Sequence, residues 1–269
     1  MAQQGIGFIG AGNMGGALVA AVCKSVEPSA VLVADKNADR AKQVAKAYHC
    51  VATDVTDVVA KSRYIFLAVK PQVLEAVACE IRPLLAQRCE RVILVSMLAG
   101  VTTERLNGAF GQEIPIIRIM PNTPAAIGEG MILYTSNELV TEVELDEFTQ
   151  VLSAAGRFER LPEQLIDAGS ALSGCGPAFV YLFIEALADA GVQCGLPRDT
   201  ALLLASQTVC GAGKMSVVSG CHPAALKDAV CSPGGSTIEG VHALEDGAFR
   251  GVVMDAVEAA FNRTKQLGK

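Results

Sequence analysis

Apolar positions in the first 160 or so residues fall into short unbroken runs, separated by stretches where they recur every three or four places. Ile6, Phe8 and Ile9 form the first run, and residues 31–35, 64–69, 91–96 and 114–120 form the next four. Each has the length and continuity of a strand buried on both faces. Leu18, Ala21 and Val22, the span Ala38–Tyr48 and a short segment from Thr102 carry helical spacing between them. Such alternation predicts an α/β fold: a Rossmann-like, doubly wound parallel sheet. Residues 131–134 and 156–161 flank an amphipathic helix over 142–155 and are expected to complete the sheet. Pro162 then marks a predicted boundary between domains 1–162 and 163–269.

Beyond Pro162 the pattern is helical almost throughout. Residues 178–190, opened by Gly176-Pro177 and closed by Gly191, are apolar nearly all round. Further helices are predicted over 197–215 and 223–230, from Ser236, and over 248–267. An all-round apolar helix must be buried on most sides, and a helical domain of this size has little interior. A second subunit is therefore expected to cover it. A membrane hairpin fits less well, because Glu185 and Asp189 interrupt the run.

Composition narrows the class. Hydrophobic residues make up 51% and charged residues 19% of the 269, an apolar excess that again suggests a large subunit interface. No run reaches the ~18 uninterrupted apolar residues of a membrane span, and the N-terminus enters a strand without signal-peptide patterning, so a cytoplasmic protein is expected. A net charge of −6 argues against nucleic acid and favours a small metabolite. The nine cysteines are odd in number and never spaced CxxC. They read as reduced, mostly buried small hydrophobes, with neither disulfide framework nor metal site.

The candidate chemistry sits at strand ends. Gly10-Ala11-Gly12-Asn13-Met14-Gly15 follows the first strand and opens a helix. There Gly10 permits the turn, Gly12 lets a pyrophosphate lie against backbone N–H groups, and Gly15 lets helix and strand approach. Asp35 closes the second strand about 20 residues after Gly15, where such folds meet the adenosine ribose. Val69-Lys70-Pro71 ends the next strand, where it is expected to face the cofactor with Pro71 opening a helix. Pro121-Asn122-Thr123-Pro124 is expected to be a rigid extended loop at a strand end. In Ser232-Pro-Gly-Gly-Ser-Thr237, Ser236 and Glu239 suggest a capping box on the following helix. The same residues suggest bare amides at a positive helix end, suited to a carboxylate. By pattern alone these two readings stand level.

Five stretches together resemble the pyrroline-5-carboxylate reductases: residues 8–15, Ala68-Val-Lys-Pro71, Met120-Pro-Asn-Thr-Pro124, Leu172-Ser-Gly-Cys-Gly-Pro-Ala178 and Leu226-Lys-Asp-Ala-Val-Cys-Ser-Pro-Gly-Gly-Ser-Thr237. The resemblance runs from end to end, and the last stretch is the most specific. It implies a nucleotide-binding domain and a helical domain that interlocks two subunits, often in a ring of five dimers. The implied activity is NADPH- or NADH-dependent reduction of L-1-pyrroline-5-carboxylate to L-proline, the last step of proline biosynthesis. The implied cofactor contacts are Ile9, Gly10, Ala11, Gly12, Asn13, Met14, Gly15, Ala34, Asp35, Lys36, Ala68, Val69, Lys70, Pro71, Ala99, Pro121, Asn122 and Thr123. The implied substrate contacts are Val230, Ser232, Gly234, Gly235, Ser236 and Thr237. Thr237 takes the catalytic part, its hydroxyl bonding the ring nitrogen of the imine carboxylate. No metal is implied.

Two other readings compete. A β-hydroxyacid dehydrogenase needs a Lys-x-x-Asn pattern, and neither Lys214-Met-Ser-Val217 nor Lys227-Asp-Ala-Val230 has the Asn. A nucleotide-sensing scaffold without turnover leaves Thr237 unexplained.

Overall fold

A computed structural model describes residues 5–111 and 113–267; the outermost residues of the two predicted domains, 1–4, 268 and 269, lie outside it. The chain divides into two compact units, Met1–Cys175 with Ala260–Lys269, and Gly176–Ala259.

The first unit begins with β1 (Gly5–Ile9), α1 (Asn13–Ser25), β2 (Val31–Ala34), α2 (Ala38–Tyr48), β3 (Val51–Ala52), α3 (Val55–Lys61) and β4 (Ser62–Leu67). It continues with α4 (Leu74–Leu85), β5 (Ile93–Ser96), α5 (Thr103–Phe110), β6 (Ile116–Met120), β7 (Gly130–Ser136), α6 (Glu142–Val151), β8 (Gly156–Arg160) and α7 (Glu163–Gly169). The eight strands run in the order β3-β2-β1-β4-β5-β6-β7-β8. All neighbours pair in parallel except β6 and β7, which are antiparallel. Strand order reverses between β1 and β4, and a switch of this kind opens a crevice beyond the carboxyl ends of the strands.

Both faces of the sheet are covered, which is why its central strands read as unbroken apolar runs. Leu18 and Val22 of α1 pack with Leu145 and Phe148 of α6 on one face. There Phe8 and Phe66 stack with ring centroids 4.4 Å apart. Leu74 and Ile81 of α4 and Leu106 of α5 cover the other face. The sequence pattern did not indicate β3 or α3. The strand has two residues, both exposed, too few to show an alternation.

Three local expectations are corrected. The stretch after Asn122 is not extended: Thr123–Ile127 is a 3₁₀ helix, closed by Gly128 at φ +83°. Pro124 sits in its first turn, where the fixed proline φ favours a helical start and the missing N–H costs nothing. Gly191 does not end its helix, because α8 runs Gly176–Gln193. A side chain there would meet the Ala201 Cβ at 3.1 Å, so this glycine serves close helix packing, and Gly195 at φ +99° makes the turn. The cysteines are unpaired, but none described is fully buried. Cys194, Cys210 and Cys221 are exposed on the second unit, whose faces are largely uncovered in the single chain.

That second unit holds α8, α9 (Arg198–Ser219), α10 (Pro223–Ala229), α11 (Ser236–Asp246) and most of α12 (Phe249–Leu267). Ala188, Ala201 and Ala205 are buried between α8 and α9. Val180, Tyr181, Leu182, Leu203, Val218 and Met254 are exposed. Two helical spans, Glu163–Gln193 and Arg198–Ser219, are long and apolar enough to cross a membrane by length and composition.

Candidate active site

The parallel strands carry the predicted cofactor residues of the first unit to one edge of the sheet. Ile9 and Gly10 leave β1, Ala34 and Asp35 leave β2, and Ala68, Val69, Lys70 and Pro71 follow β4. Ala99 lies three residues beyond β5, and Pro121, Asn122 and Thr123 follow β6. Backbone bonds knit these ends: Gly10 N–H donates to the Ala34 carbonyl at 2.8 Å, and Ala68 N–H to the Ile9 carbonyl at 2.9 Å.

The glycine turn has the shape its sequence promised. Gly10 lies at φ +109°, and a Cβ there would stand 2.3 Å from the Ala68 carbonyl oxygen. A Cβ on Gly15 would stand 2.5 Å from the Gly10 carbonyl oxygen. Gly12, by contrast, faces open space. It caps α1 without any side-chain hydrogen bond, so the first amides of Asn13, Met14 and Gly15 point outward at the positive end of the helix. A cleft of 460 Å³ adjoins this turn, lined by Ala11, Gly12, Asn13, Gly16, Arg40 and Val44 among others. These features fit a dinucleotide: a bare amide cradle for the pyrophosphate and no Cβ in its way.

Asp35 is more constrained than its sequence position suggests. One carboxylate oxygen accepts the Ala11 N–H at 2.7 Å and the other the Asn37 N–H at 2.8 Å. Arg40 approaches the first of these to 3.8 Å. The acid thereby ties the glycine turn to the start of α2. Lys36 is exposed beside it, and Lys70 is exposed at the end of β4.

Asn122 is buried, and both ends of its carboxamide are engaged. Its Oδ1 accepts the Met131 N–H at 2.8 Å, and its Nδ2 donates to the Ser173 carbonyl at 3.0 Å. Ser173 belongs to a single π-helical turn, Ser170–Gly174, that follows α7. Sequence reasoning did not find this link. It also missed Arg118 of β6, which is fully buried and pairs with Asp167 at 2.6 Å and Glu163 at 3.5 Å on α7. Glu163 in turn accepts the Thr103 N–H and hydroxyl, each at 2.7 Å. The signal was present: one arginine inside an apolar run, and two acids four residues apart on the next helix.

In the second unit Ser232, Gly234, Gly235, Ser236 and Thr237 form one short loop and the start of α11, with exposed Val230 just before it. Gly235 N–H donates to the Ser232 carbonyl at 3.0 Å, closing a turn with Pro233 and Gly234 at its corners. Gly234 lies at φ +67°, as the third residue of a type II turn requires. The expected capping box is absent. Gly235 is the N-cap, and Ser236 is the first helical residue, with no side-chain bond to the helix amides. Of the two consecutive glycines, the Gly235 amide is spent in the turn. The uncapped amides are those opening α11, beside the exposed Thr237 hydroxyl. Among the described residues no group of side chains is arranged to hold a metal ion.

The family model described as pyrroline-5-carboxylate reductase dimerisation matches residues 163–267, and one described as NADP oxidoreductase, coenzyme F420-dependent, matches residues 5–100. The pyrroline-5-carboxylate reductase of Pisum sativum is 43% identical over 97% of this chain and 95% of its own length. The solved structure of Plasmodium falciparum pyrroline carboxylate reductase, with NADP bound, aligns at a TM-score of 0.87 and 33% identity over 100% of both chains. That of a pyrroline-5-carboxylate reductase from Coxiella burnetii aligns at 0.90 and 32%, over 99% of each chain.

Proposed function

The chain belongs to the pyrroline-5-carboxylate reductase family, and from that premise we propose how its residues divide the work. It is an NAD(P)H-dependent oxidoreductase that reduces L-1-pyrroline-5-carboxylate to L-proline, the last step of proline biosynthesis. The observation that carries the assignment of parts is the pair of uncapped helix starts, α1 behind Gly12 and α11 behind Gly235. Each suits an anion: a pyrophosphate at the first, a carboxylate at the second.

A reduced nicotinamide held by the first unit would supply a hydride from its C4 for the C=N carbon of the imine. The cofactor contacts are Ile9 to Gly15, Ala34, Asp35, Lys36, Ala68 to Pro71, Ala99 and the Pro121–Thr123 backbone. The chain's own part in the reaction is mostly holding. Gly12 leaves room for the pyrophosphate, and Asp35 meets the adenosine ribose. Ser232, Gly234, Gly235, Ser236 and Val230 shape the carboxylate site, where the amides opening α11 fix the substrate. The Thr237 hydroxyl hydrogen-bonds the ring nitrogen and orients the C=N bond. A protonated imine is already electrophilic, so fixing its distance and angle supplies most of the rate. The three histidines, His49, His222 and His242, take no part; His222 is occupied as the N-cap of α10, accepting the Ala224 N–H.

We place the functional boundary after Pro162, where the match to the dimerisation model begins, with 163–269 as the dimerisation and substrate segment, although α7 and Ala260–Lys269 pack within the first compact unit. The working unit is a homodimer, with five dimers in a ring as the proposed assembly, and the cytoplasm is its proposed location. The apolar faces of α8 and α9 meet a second subunit and not a lipid bilayer. The test is turnover of pyrroline-5-carboxylate with each reduced cofactor, in wild type and Thr237→Ala. The wild type is expected to oxidise both cofactors only when the imine is present. The variant is expected to lose about 1–3 kcal/mol of transition-state stabilisation, about 5- to 150-fold in kcat/KM, with cofactor affinity nearly unchanged. Equal losses in cofactor binding and in kcat/KM would contradict the assignment of Thr237 to the substrate.

A further inference from the structure

The carboxamide of Asn122 is buried and fully committed within the protein. Its orientation follows from its partners, since only an oxygen can accept the Met131 N–H and only an NH₂ can donate to the Ser173 carbonyl. Three segments of the first unit are thereby joined at one side chain. The first is the end of β6 with the 3₁₀ turn after it, the second is the start of β7, and the third is the π-helical turn Ser170–Gly174. The π turn is closed by Cys175 N–H donating to the Ser170 carbonyl at 3.2 Å, and by the Ser173 hydroxyl donating to the Gly169 carbonyl at 3.0 Å. Such a turn is a rare, single-turn interruption of the α-helical bonding pattern, of the kind found frequently at functional sites. Asn122 supplies a bond to it from outside, at the carboxyl edge of the sheet where the cofactor contacts gather.

Resting on the functional reading above, we propose that Asn122 is a positioning residue for hydride transfer. Its side chain does not bind the cofactor. It locks the Pro121–Thr123 backbone to the Ser170–Gly174 turn, so that the cofactor contacts at the end of β6 and the turn move as one piece. A bond of this kind costs little in cofactor affinity when lost. It is costly in rate, because a loosened loop spends less time in the reactive geometry.

Asn122→Asp tests this. It keeps the acceptor for Met131 and replaces the donor to Ser173 with a carboxylate oxygen facing a carbonyl. We expect kcat to fall about 10- to 100-fold. The isotope effect on kcat with 4-deuterated cofactor should rise above the wild-type value, while KM for the imine and Kd for the reduced cofactor stay nearly unchanged. In cofactor-free protein, amide hydrogen exchange of residues 171–176 should speed up. Ser173→Ala, which removes only the bond to Gly169, is the second variant and should shift the isotope effect and the exchange in the same direction. A proportionate loss of cofactor affinity in Asn122→Asp would show that the side chain binds cofactor, and would overturn the proposal. So would a wild-type kcat and isotope effect in either folded variant. Wild-type protein that does not reduce the imine would overturn the functional reading and this proposal together; wild-type turnover with unaffected variants would overturn this proposal alone.

Discussion

Asp35 is the residue at which local contacts and cofactor choice meet. Its carboxylate takes two backbone amides and lies near Arg40. On the proposed cofactor reading, it accepts hydrogen bonds from the free ribose hydroxyls of NADH and opposes the 2′-phosphate of NADPH. Arg40 and exposed Lys36 offset that opposition, and salt in the surrounding solvent screens it. We therefore expect both cofactors to be used, with NADH at least competitive. Asp35→Ser should move the ratio of kcat/KM values toward NADPH, about tenfold for about 1.4 kcal/mol of relieved repulsion. An unchanged ratio would mean that the carboxylate serves only to tie the glycine turn to α2. The sequence showed where Asp35 stands but not that Ala11 and Asn37 already engage it, because a hydrogen bond across 24 residues leaves no local pattern. Asn122 is the same case. Its place at a strand end was legible, whereas its partners on β7 and the π turn are set by tertiary packing.

Among the elements, the strands were the most legible and the helix ends the least. Short continuous apolar runs bounded by turn signals fit strands in a sheet covered on both faces, so β1, β2, β4, β5 and β6 were legible from pattern. Caps depend on one rotamer or one turn. Ser236 and Glu239 have capping-box spacing, yet the Pro233-Gly234 turn delivers Gly235 to the cap position instead. The box that does form lies on α6, where Thr141 and Glu144 bond each other's backbone amides. Glu144 is nearly buried and accepts both Arg91 and Arg63. The Arg91 hydrogen bond, helped by the Thr141 amide and hydroxyl, lowers its carboxyl from 4.5 to about 2 despite the opposing cost of burial. The folded-state value lies below the unfolded one, so this contribution to stability is complete above pH 4.5 and is lost as pH falls toward 2. In thermal melts over that range, Glu144→Gln should be less stable than wild type at neutral pH, and the gap should narrow as pH falls. A gap constant with pH would show that Glu144 acts only through its shape.

At the scale of the whole molecule, the apolar faces of the second unit decide the assembly. Leu203 is 68% and Val218 75% exposed on α9, with Tyr181 and Leu182 exposed on α8. A family model for dimerisation covers this segment. Burial of such surface between two copies makes folding and association one event, so a stable monomer is not expected. Sedimentation across a dilution series should show dimers or larger assemblies down to the concentration at which helical signal is lost. A folded monomer would contradict it. The all-round apolarity of α8 made this legible in the sequence, whereas the number of dimers left no trace in a single chain's pattern.

The central claim is direct hydride transfer from the nicotinamide to the imine carbon, with the chain holding the two partners. Its most direct test is to run the reaction with cofactor carrying deuterium at the transferred C4 position and to examine the proline by mass spectrometry and NMR. One deuterium per proline is expected, on the ring carbon beside nitrogen that does not bear the carboxylate, in equal amount to cofactor oxidised. Proline without that deuterium, or cofactor oxidised with no proline formed, would contradict it.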